Sequence, residues 1–373
     1  MKHERKNSRK GSPLHLLTAA VLAAATFGAT GAAKKPAFRP VPPTAVARDS
    51  LIRPGETRFA HLWQLTFGGQ NAEAYWSADG TKLTFQAMVG DARCDQQFVY
   101  DLASGTVSRI SNGKGRTTCG YFYDHDRRIL FASTHASGDD CPPNPDMSHG
   151  YIWAIYPSYD IWSVKPDGSD LKPLVQHPGY DAEGTVSTDG RWLVFTSKRD
   201  GDVDLYKMRL DGGGLQRLTD RVGYDGGAFF SHDGRRIVWR TDRATDTASV
   251  NQFRRLLEID LVKPSQMDIW VMNADGSGQR QLTDKPGASF APYFTPDDRQ
   301  ILYSSNWENP RGRNFDLYLV DAAKGGEPVP VTRDPDFDGF PMFSPDGRWL
   351  VFCSNRGGSV PGETNLYLAE WKR

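Results

Sequence analysis

One short motif recurs six times along the chain, and it constrains the fold more than any other feature of the sequence. Each copy contains a tight turn that carries Asp, usually in the pair Asp-Gly, and a short apolar strand such as WLVFTS at 192–197 follows at once. The six turn residues are Asp79, Asp126, Asp189, Asp233, Asp297 and Asp346. Successive copies are about 45 to 65 residues apart, so each unit has room for four short strands. Radial repetition of such units predicts an all-β fold, a six-bladed β-propeller with four-stranded antiparallel blades.

The two ends of the repeated region complete each other. The sixth unit stops at Trp371 after three strands, and the segment HLWQLTF at 61–67 matches a fourth strand without the first three. We therefore expect the N- and C-terminal segments to pair in one blade, which closes the ring and removes the free sheet edge of an open array. The propeller is predicted to span residues 59–373.

Residues 1–33 are typical of a cleavable signal peptide. A basic head at 2–10 precedes an apolar run at 14–27, and small residues at 31–33 fit a cleavage site. A retained membrane anchor is the alternative. Residues 34–58 contain five Pro and are predicted to form a linker. The mature chain is therefore expected in the periplasm or outside the cell, with no membrane span after signal removal.

Charge and hydropathy exclude several classes of protein. The chain has 45 Lys plus Arg against 45 Asp plus Glu, and loss of residues 1–33 would leave a small negative net charge. Nucleic acid is not an expected partner, because a surface that follows phosphates needs a basic excess. A mean hydropathy of −0.55 excludes a polytopic membrane protein, and an aromatic content of 12% argues against disorder.

The repeat resembles that of a known family. The patterns S-x-D-G-R-x-L-V-F-x-S and D-[IL]-[WY]-x-x-x-x-D-G, followed by R-x-L-T, look like the repeats of TolB-type propellers, which are relatives of the WD-type repeat. The resemblance covers roughly residues 59–373 and does not extend to the α/β domain that precedes the blades in TolB. It implies a non-catalytic scaffold that binds an envelope protein or a peptide over its channel face.

Candidate binding residues are predicted on one face of the ring. In a propeller, the loop that enters the first strand and the loop that joins the second strand to the third emerge together around the central channel. These residues would form a site for a polar or cationic ligand, or they would only satisfy strand ends around a water-filled channel. The candidates are Glu73, Arg116, Asp181, Glu183, Lys198, Arg199, Asp225, Arg240, Asp338 and Arg356.

A long insertion in the second unit carries the enzymatic alternative. Residues 134–158 contain His135 and His149 among aromatic side chains, which could hold a metal or stack on a sugar. Oligogalacturonate lyase is a related propeller enzyme that uses histidines and a metal, so the resemblance implies a metal-assisted polysaccharide lyase or hydrolase as one option. The other interpretation is an ordered lid whose aromatic side chains simply pack.

No catalytic motif supports an enzyme directly. The sequence contains no G-x-S-x-G, no H-E-x-x-H and no P-loop, so an accessory role for a separately encoded peptidase is a further option. We predict no cofactor, and a divalent metal stays open.

A second insertion and the cysteines complete the predictions. Residues 249–262 have helical spacing of apolar side chains, with Ser249 as the expected N-cap. In an oxidising compartment we expect a disulfide of Cys141 with either Cys94 or Cys119. Cys353 lies within a predicted strand and is expected to be a buried free thiol.

Overall fold

A computed structural model describes residues 39–243, 245–264 and 266–372, without the side chains of His149 and Arg243. The predicted signal peptide lies outside the described residues. Six antiparallel sheets surround a central channel, so the six-bladed β-propeller is confirmed. No helix among the described residues is both long enough and apolar enough to span a membrane.

Blades 1 to 3 each contain four strands, which follow one another from the channel outward. Blade 1 comprises Gln70–Trp76, Lys82–Met88, Gln96–Asp101 and Thr106–Arg109. Blade 2 comprises Thr117–Tyr123, Arg128–Ser133, Asp160–Val164 and Lys172–Val175. Blade 3 comprises Asp181–Val186, Trp192–Ser197, Asp204–Arg209 and Gln216–Arg217.

Blades 4 to 6 have the same order of strands, and the last is completed from the N-terminal side. Blade 4 comprises Gly223–Phe230, Arg236–Arg243, Asp268–Asn273 and Arg280–Gln281. Blade 5 comprises Ser289–Phe294, Gln300–Ser305, Asp316–Asp321 and Gly325–Pro330. Blade 6 comprises Asp338–Phe343, Trp349–Ser354, Asn365–Trp371 and Phe59–Gln64.

The repeated Asp turn joins the first two strands of a blade. In blade 3, Asp189 accepts hydrogen bonds from the Ser187 hydroxyl at 2.6 Å and the Arg191 amide at 3.1 Å, while Gly190 has φ +69°. A short acceptor side chain and a left-handed Gly are what such a turn requires. The second strand is then buried on both faces, which explains its continuous apolar run.

The two ends of the propeller pair as expected. Leu62 lies opposite Ala369 in an antiparallel ladder, which confirms the closure of the ring. Val46–Ala47 adds a short fifth strand outside this ladder, and a 3₁₀ turn follows at Asp49–Leu51. Residues 39–58 thus contact blade 6 through backbone pairing, and the buried Glu56 adds side-chain contacts described below.

Every innermost strand contains a β-bulge at the same level of the channel. The first residue within each register shift has φ between 47° and 59°, in the left-handed region. We call these six positions the bulge ring: Glu73, Cys119, Glu183, Gly227, Ala291 and Phe340. Because the bulge re-aims a side chain, the ring brings residues of opposite blades toward the channel axis.

The insertions of blades 2 and 4 join each other. A helix at Thr247–Leu257 precedes Leu261–Val262, which pairs with Trp153–Ala154 in a small sheet. Two 3₁₀ turns, His135–Ser137 and Met147–His149, lie in the blade 2 insertion. The expected helix at 249–262 is therefore wrong at both ends, because Asp246 caps the amides of Ala248 and Ser249 and the chain turns into a strand after 257.

Candidate functional site

The channel is closed below the bulge ring by aromatic side chains. Two residues beyond four of the bulge positions lie Tyr75, Tyr121, Phe229 and Tyr293, which we call the aromatic plug. The centroids of Tyr75 and Phe229, from opposite blades 1 and 4, are 5.4 Å apart, and those of Phe229 and Tyr293 are 5.3 Å apart. Edge-to-face contacts of this kind place the rings of opposite blades against each other across the channel axis. The bulge ring thus forms the floor of a cup that opens on the face carrying the insertions.

A buried ion pair crosses this floor. The Arg240 Nη2 group donates to Glu183 Oε1 at 2.7 Å and to the Tyr224 hydroxyl oxygen at 2.7 Å. Burial alone would lower the pKa of Arg240, but the Glu183 carboxylate raises it above its ordinary value, so the guanidinium stays charged. Glu183 Oε2 accepts from the Gly227 amide at 2.6 Å.

Two glycines of blade 4 make room for that ion pair. A Cβ atom on Gly226 would lie 2.3 Å from Glu183 Oε2, and one on Gly227 would lie 2.2 Å from Arg240 Nη1. Arg240 lies opposite Gly226 within the second strand, so its side chain passes over the glycines toward the axis. Arg240 therefore lies within a strand and not on one of the channel-face loops where the candidates were predicted, although its side chain does reach the channel.

Glu73 occupies the equivalent position in blade 1 and has a different environment. Desolvation raises the pKa of its carboxyl to about 7, although a hydrogen bond from the Cys119 thiol and the charge of Arg240 act to lower it. Glu73 and Cys119 both keep part of their surface exposed, so solvent reaches this level of the channel. Glu73 therefore titrates near neutral pH at a place that a ligand could reach.

Arg116 and Asp95 lie toward the rim of the cup. Burial raises the pKa of Asp95, while the charge of Arg116 opposes this shift. The Arg116 guanidinium lies 5.8 Å from the ring centroid of Tyr156, and its Nη2 donates to Asn144 Oδ1 at 3.1 Å. Both partners belong to the blade 2 insertion, so Arg116 connects the blade to that insertion.

The two insertions cover the cup over blades 2 to 4. Trp153 lies above Arg240, 5.2 Å from its guanidinium carbon, and Phe253 and Leu257 of the helix pack in one apolar cluster with Tyr224. A disulfide joins Cys141 of the first insertion to Cys94 of blade 1, and Cys119 is a free thiol. Cys353 is a free and fully buried thiol. We call the two insertions together the lid.

Lys198 serves the lid rather than the cup. Its ammonium donates to the Leu257 carbonyl at 2.8 Å and to Asp260 Oδ1 at 2.6 Å, beside the C-terminus of the helix. A cation at this end complements the helix dipole and satisfies a free carbonyl.

Several predicted site residues form ion pairs and hydrogen bonds within the blades instead of lining the cup. Asp181 pairs with Arg199 at 2.9 Å, and Arg199 also donates to Ser197. Blade 6 repeats this geometry: Arg356 pairs with Asp338 at 2.7 Å and donates to Ser354. Arg356 is 0% exposed because the Glu56 carboxylate covers it at 3.0 Å.

Asp225, at the corresponding place in blade 4, accepts from the indole of Trp239 at 2.7 Å and is fully buried. It therefore also lies outside the cup.

The histidines do not form a metal site in the part of the chain that the structure describes. His135 Nδ1 lies 2.8 Å from Ser133 Oγ, its ring packs 4.3 Å from Trp162, and burial lowers its pKa. It thus takes the place in blade 2 that Arg199 takes in blade 3. The His149 side chain lies outside the described atoms, and no cluster of three or more His, Cys, Asp or Glu suited to a metal occurs among the described residues.

Comparisons with known sequences give only partial matches. No family model matches the chain. It is 28% identical over 145 residues to the uncharacterized peptidase YuxL of Bacillus subtilis, covering 30% of this chain and 22% of the relative. It is 31% identical over 101 residues to the uncharacterized protein Atu1656 of Agrobacterium fabrum, covering 27% and 32%. The matches thus span less than a third of either relative's length.

Solved structures give broader coverage at low identity. A putative TolB from Agrobacterium tumefaciens has a TM-score of 0.53 at 18% identity and covers 82% of this chain and 91% of its own. TolB from Acinetobacter baumannii has a TM-score of 0.50 at 16% identity, covering 74% and 60%. An oligogalacturonate lyase in complex with manganese has a TM-score of 0.51 at 14% identity, covering 89% and 97%. The chain therefore has the fold of a TolB-like six-bladed propeller.

Proposed function

We propose that the protein is a non-catalytic scaffold that binds a protein or peptide segment in the cup on its channel face. The observation that carries this proposal is the combination of a solvent-reached floor, at Glu73 and Cys119, with an aromatic plug directly beneath it. A cup that is closed only at its floor can hold the chain end or a side chain of a larger partner. The remaining surface of such a partner would rest on the rim.

The chemistry of the lid supports a macromolecular partner. Tyr151 and Ile259 of the lid are 57% and 56% exposed, and Arg313 of blade 5 lies 5.9 Å from the Tyr151 ring. Aromatic side chains and Arg are the residue types enriched in protein interfaces. The rim therefore offers contacts that a small ligand in the cup would not use.

Capture from a cell-envelope extract tests this function. The immobilised protein should retain a partner, and the double variant R311E/R313E on the channel-face loop of blade 5 should reduce recovery at least tenfold. Arg191 and Arg299 are exposed residues of the turns on the opposite face, so R191E/R299E is the matched control and should leave recovery unchanged. Capture of nothing by the wild type, or equal loss in both variants, would refute the scaffold role.

The same capture repeated with a chelator addresses the divalent metal. A scaffold that relies on the described cup residues should keep its partner in EDTA. Release by EDTA, restored by one divalent metal, would instead support the metal-assisted alternative.

We also propose that the protein is exported and works in the periplasm or outside the cell. The Cys94–Cys141 disulfide supports an oxidising compartment. N-terminal sequencing of the protein recovered from the envelope fraction should show cleavage after residue 33. Recovery from the cytoplasm with both cysteines reduced would contradict export.

A further inference from the structure

The two carboxylates of the bulge ring differ in the hydrogen-bond donors that they already have. Glu183 accepts from Arg240 and from two tyrosine hydroxyls at Oε1, and from Gly227 N and the Thr196 hydroxyl at Oε2. Its lone pairs are occupied by five donors. Glu73 has only the Cys119 thiol as a hydrogen-bond partner among the described residues. A thiol is a weak donor, so the Glu73 carboxylate can accept further hydrogen bonds.

The floor of the cup is aromatic on the side of blade 6. In the ring, blade 6 adjoins blade 1, and the bulge residue of blade 6 is Phe340, which keeps part of its surface exposed. Its ring lies 5.3 Å from Phe290 and 6.2 Å from Phe337, and Ala291 is the bulge residue of blade 5. The floor therefore has an acidic side at blades 1 to 3 and an aromatic side at blades 5 and 6.

We propose that the cup binds a primary ammonium group on an apolar body, with the Glu73 carboxylate as the acceptor and Phe340 against the apolar part. This inference rests on the proposed scaffold function and names the chemistry of the group that enters the cup. An ammonium brings three donors and a positive charge to Glu73, and it suits the face of an aromatic ring. Arg240 is not available for exchange with it, because Glu183 and Tyr224 already hold that guanidinium.

The charges around Glu73 determine how binding depends on pH. The titratable groups that face it are the thiols of Cys119 and Cys353, the guanidinium of Arg240, the hydroxyl of Tyr75 and the carboxylates of Glu183 and Asp95. Because its own pKa is about 7, Glu73 is mostly ionised at pH 8 and mostly neutral at pH 6. An ammonium with the ordinary pKa of an alkyl amine stays charged across this range, so its affinity should fall about tenfold from pH 8 to pH 6.

Calorimetric titration with 2-phenylethylamine tests the proposal, because the probe carries an ammonium on an aromatic body. We expect saturable binding to the wild type at pH 8, and at least tenfold weaker binding of the neutral analogue 2-phenylethanol. E73Q should weaken 2-phenylethylamine binding at least tenfold and abolish its pH dependence. E327Q, which removes an 85% exposed carboxylate of blade 5, is the matched control and should bind as the wild type does.

Two further probes identify the source of the ammonium. One is a peptide amide with a free N-terminal Phe, and the other is an N-acetylated peptide whose only ammonium is on Lys. Glu73-dependent binding of either supports the proposal and assigns the terminus or the side chain. Equal affinity for an N-acetylated peptide without Lys would overturn it, as would unchanged phenylethylamine binding by E73Q with wild-type thermal unfolding.

These outcomes are separable from those of the scaffold test. Partner capture that R311E/R313E abolishes, combined with Glu73-independent probe binding, leaves the scaffold in place and refutes the ammonium site. Glu73-dependent probe binding without any captured protein would support the ammonium site and refute the scaffold.

Discussion

Arg356 in blade 6 and Arg240 in blade 4 both pair with carboxylates near the channel face, but they are covered in different ways. Arg356 is 0% exposed and contacts Glu56, Asp338 and the Leu51 carbonyl oxygen. The Arg240 side chain is 11% exposed, and an aromatic ring of an insertion, Trp153, lies over it. The first arginine is sealed by the chain that closes the propeller, whereas the second lies under a lid.

The difference separates a buried charge that only stabilises the fold from a charge pair that borders the proposed binding site. The guanidinium of Arg356 ties residues 51–56 to blade 6 across about 300 residues of sequence, so it stabilises closure of the ring. The Arg240–Glu183 pair instead lies in the floor beside Glu73. Because Arg240 is held by Glu183, the Glu73 carboxylate keeps its capacity to accept further hydrogen bonds. The following variants test this contrast.

Arg356→Met should have the largest effect on stability. It keeps most of the side-chain length but leaves Glu56 and Asp338 buried without their cation, which should cost about 3–5 kcal/mol of unfolding free energy. Arg240→Met should cost about half as much, because Glu183 keeps four neutral hydrogen-bond donors after the change. Urea unfolding of both variants measures this, and equal losses would remove the contrast.

Cys94→Ser should loosen the cover over Arg240 and leave the cover over Arg356 intact. Loss of a disulfide that closes a loop of 47 residues should cost about 2–4 kcal/mol. Thermal unfolding with and without dithiothreitol is the measurement: the reductant should destabilise the wild type and leave C94S unchanged. Hydrogen exchange should rise at 134–158 rather than at 48–58, and a uniform rise would contradict the assignment of separate covers.

Glu73→Gln should change how stability depends on pH. The pKa of Glu73 is raised from 4.5 to about 7 on folding, so its favourable contribution is complete below pH 4.5 and is lost as pH rises through 7. Between pH 5 and 8 the wild type should lose about 2 kcal/mol relative to E73Q. Urea unfolding at the two pH values measures this double difference, and parallel curves would show that Glu73 is already ionised in the folded state at pH 5.

Lys198→Met should have the smallest effect. Its ion pair with Asp260 is partly exposed, so the loss should be about 1 kcal/mol, including the helix-terminal carbonyl. K198M should speed hydrogen exchange in the helix 247–257 selectively. The exposed pair of Arg191 with Asp189 provides the control, since R191M should change neither measurement.

The repeat was sufficient to predict the blade number and the closure, because both follow from the spacing of Asp turns and from the missing fourth strand. It could not predict the bulge ring. Residues as different as Glu73, Cys119 and Phe340 adopt the left-handed conformation at the bulge, so no residue type marks this position in the sequence. The contact of Glu56 with Arg356 joins distant parts of the sequence. No local pattern reports it.

Two signals in the sequence could have improved the site prediction. The first is Gly226-Gly227 in a strand whose counterpart in blade 3 reads Ala182-Glu183, since paired glycines in a strand indicate a close approach of another group. The second is the shared F-x-S-x-R of blades 3 and 6, which marks Arg199 and Arg356 as a repeated structural element. Neither signal points to Glu73, whose role depends on its neighbours in other blades.

The aromatic plug makes the channel a dead end rather than a pore. Whatever occupies the cup must leave by the way it entered, and nothing can displace it from behind. Dissociation should therefore be ordered, with contacts at the rim breaking before the innermost group withdraws. A partner with a weak rim contact would exchange rapidly, however well its tip fits, so the rate of release would be set at the mouth.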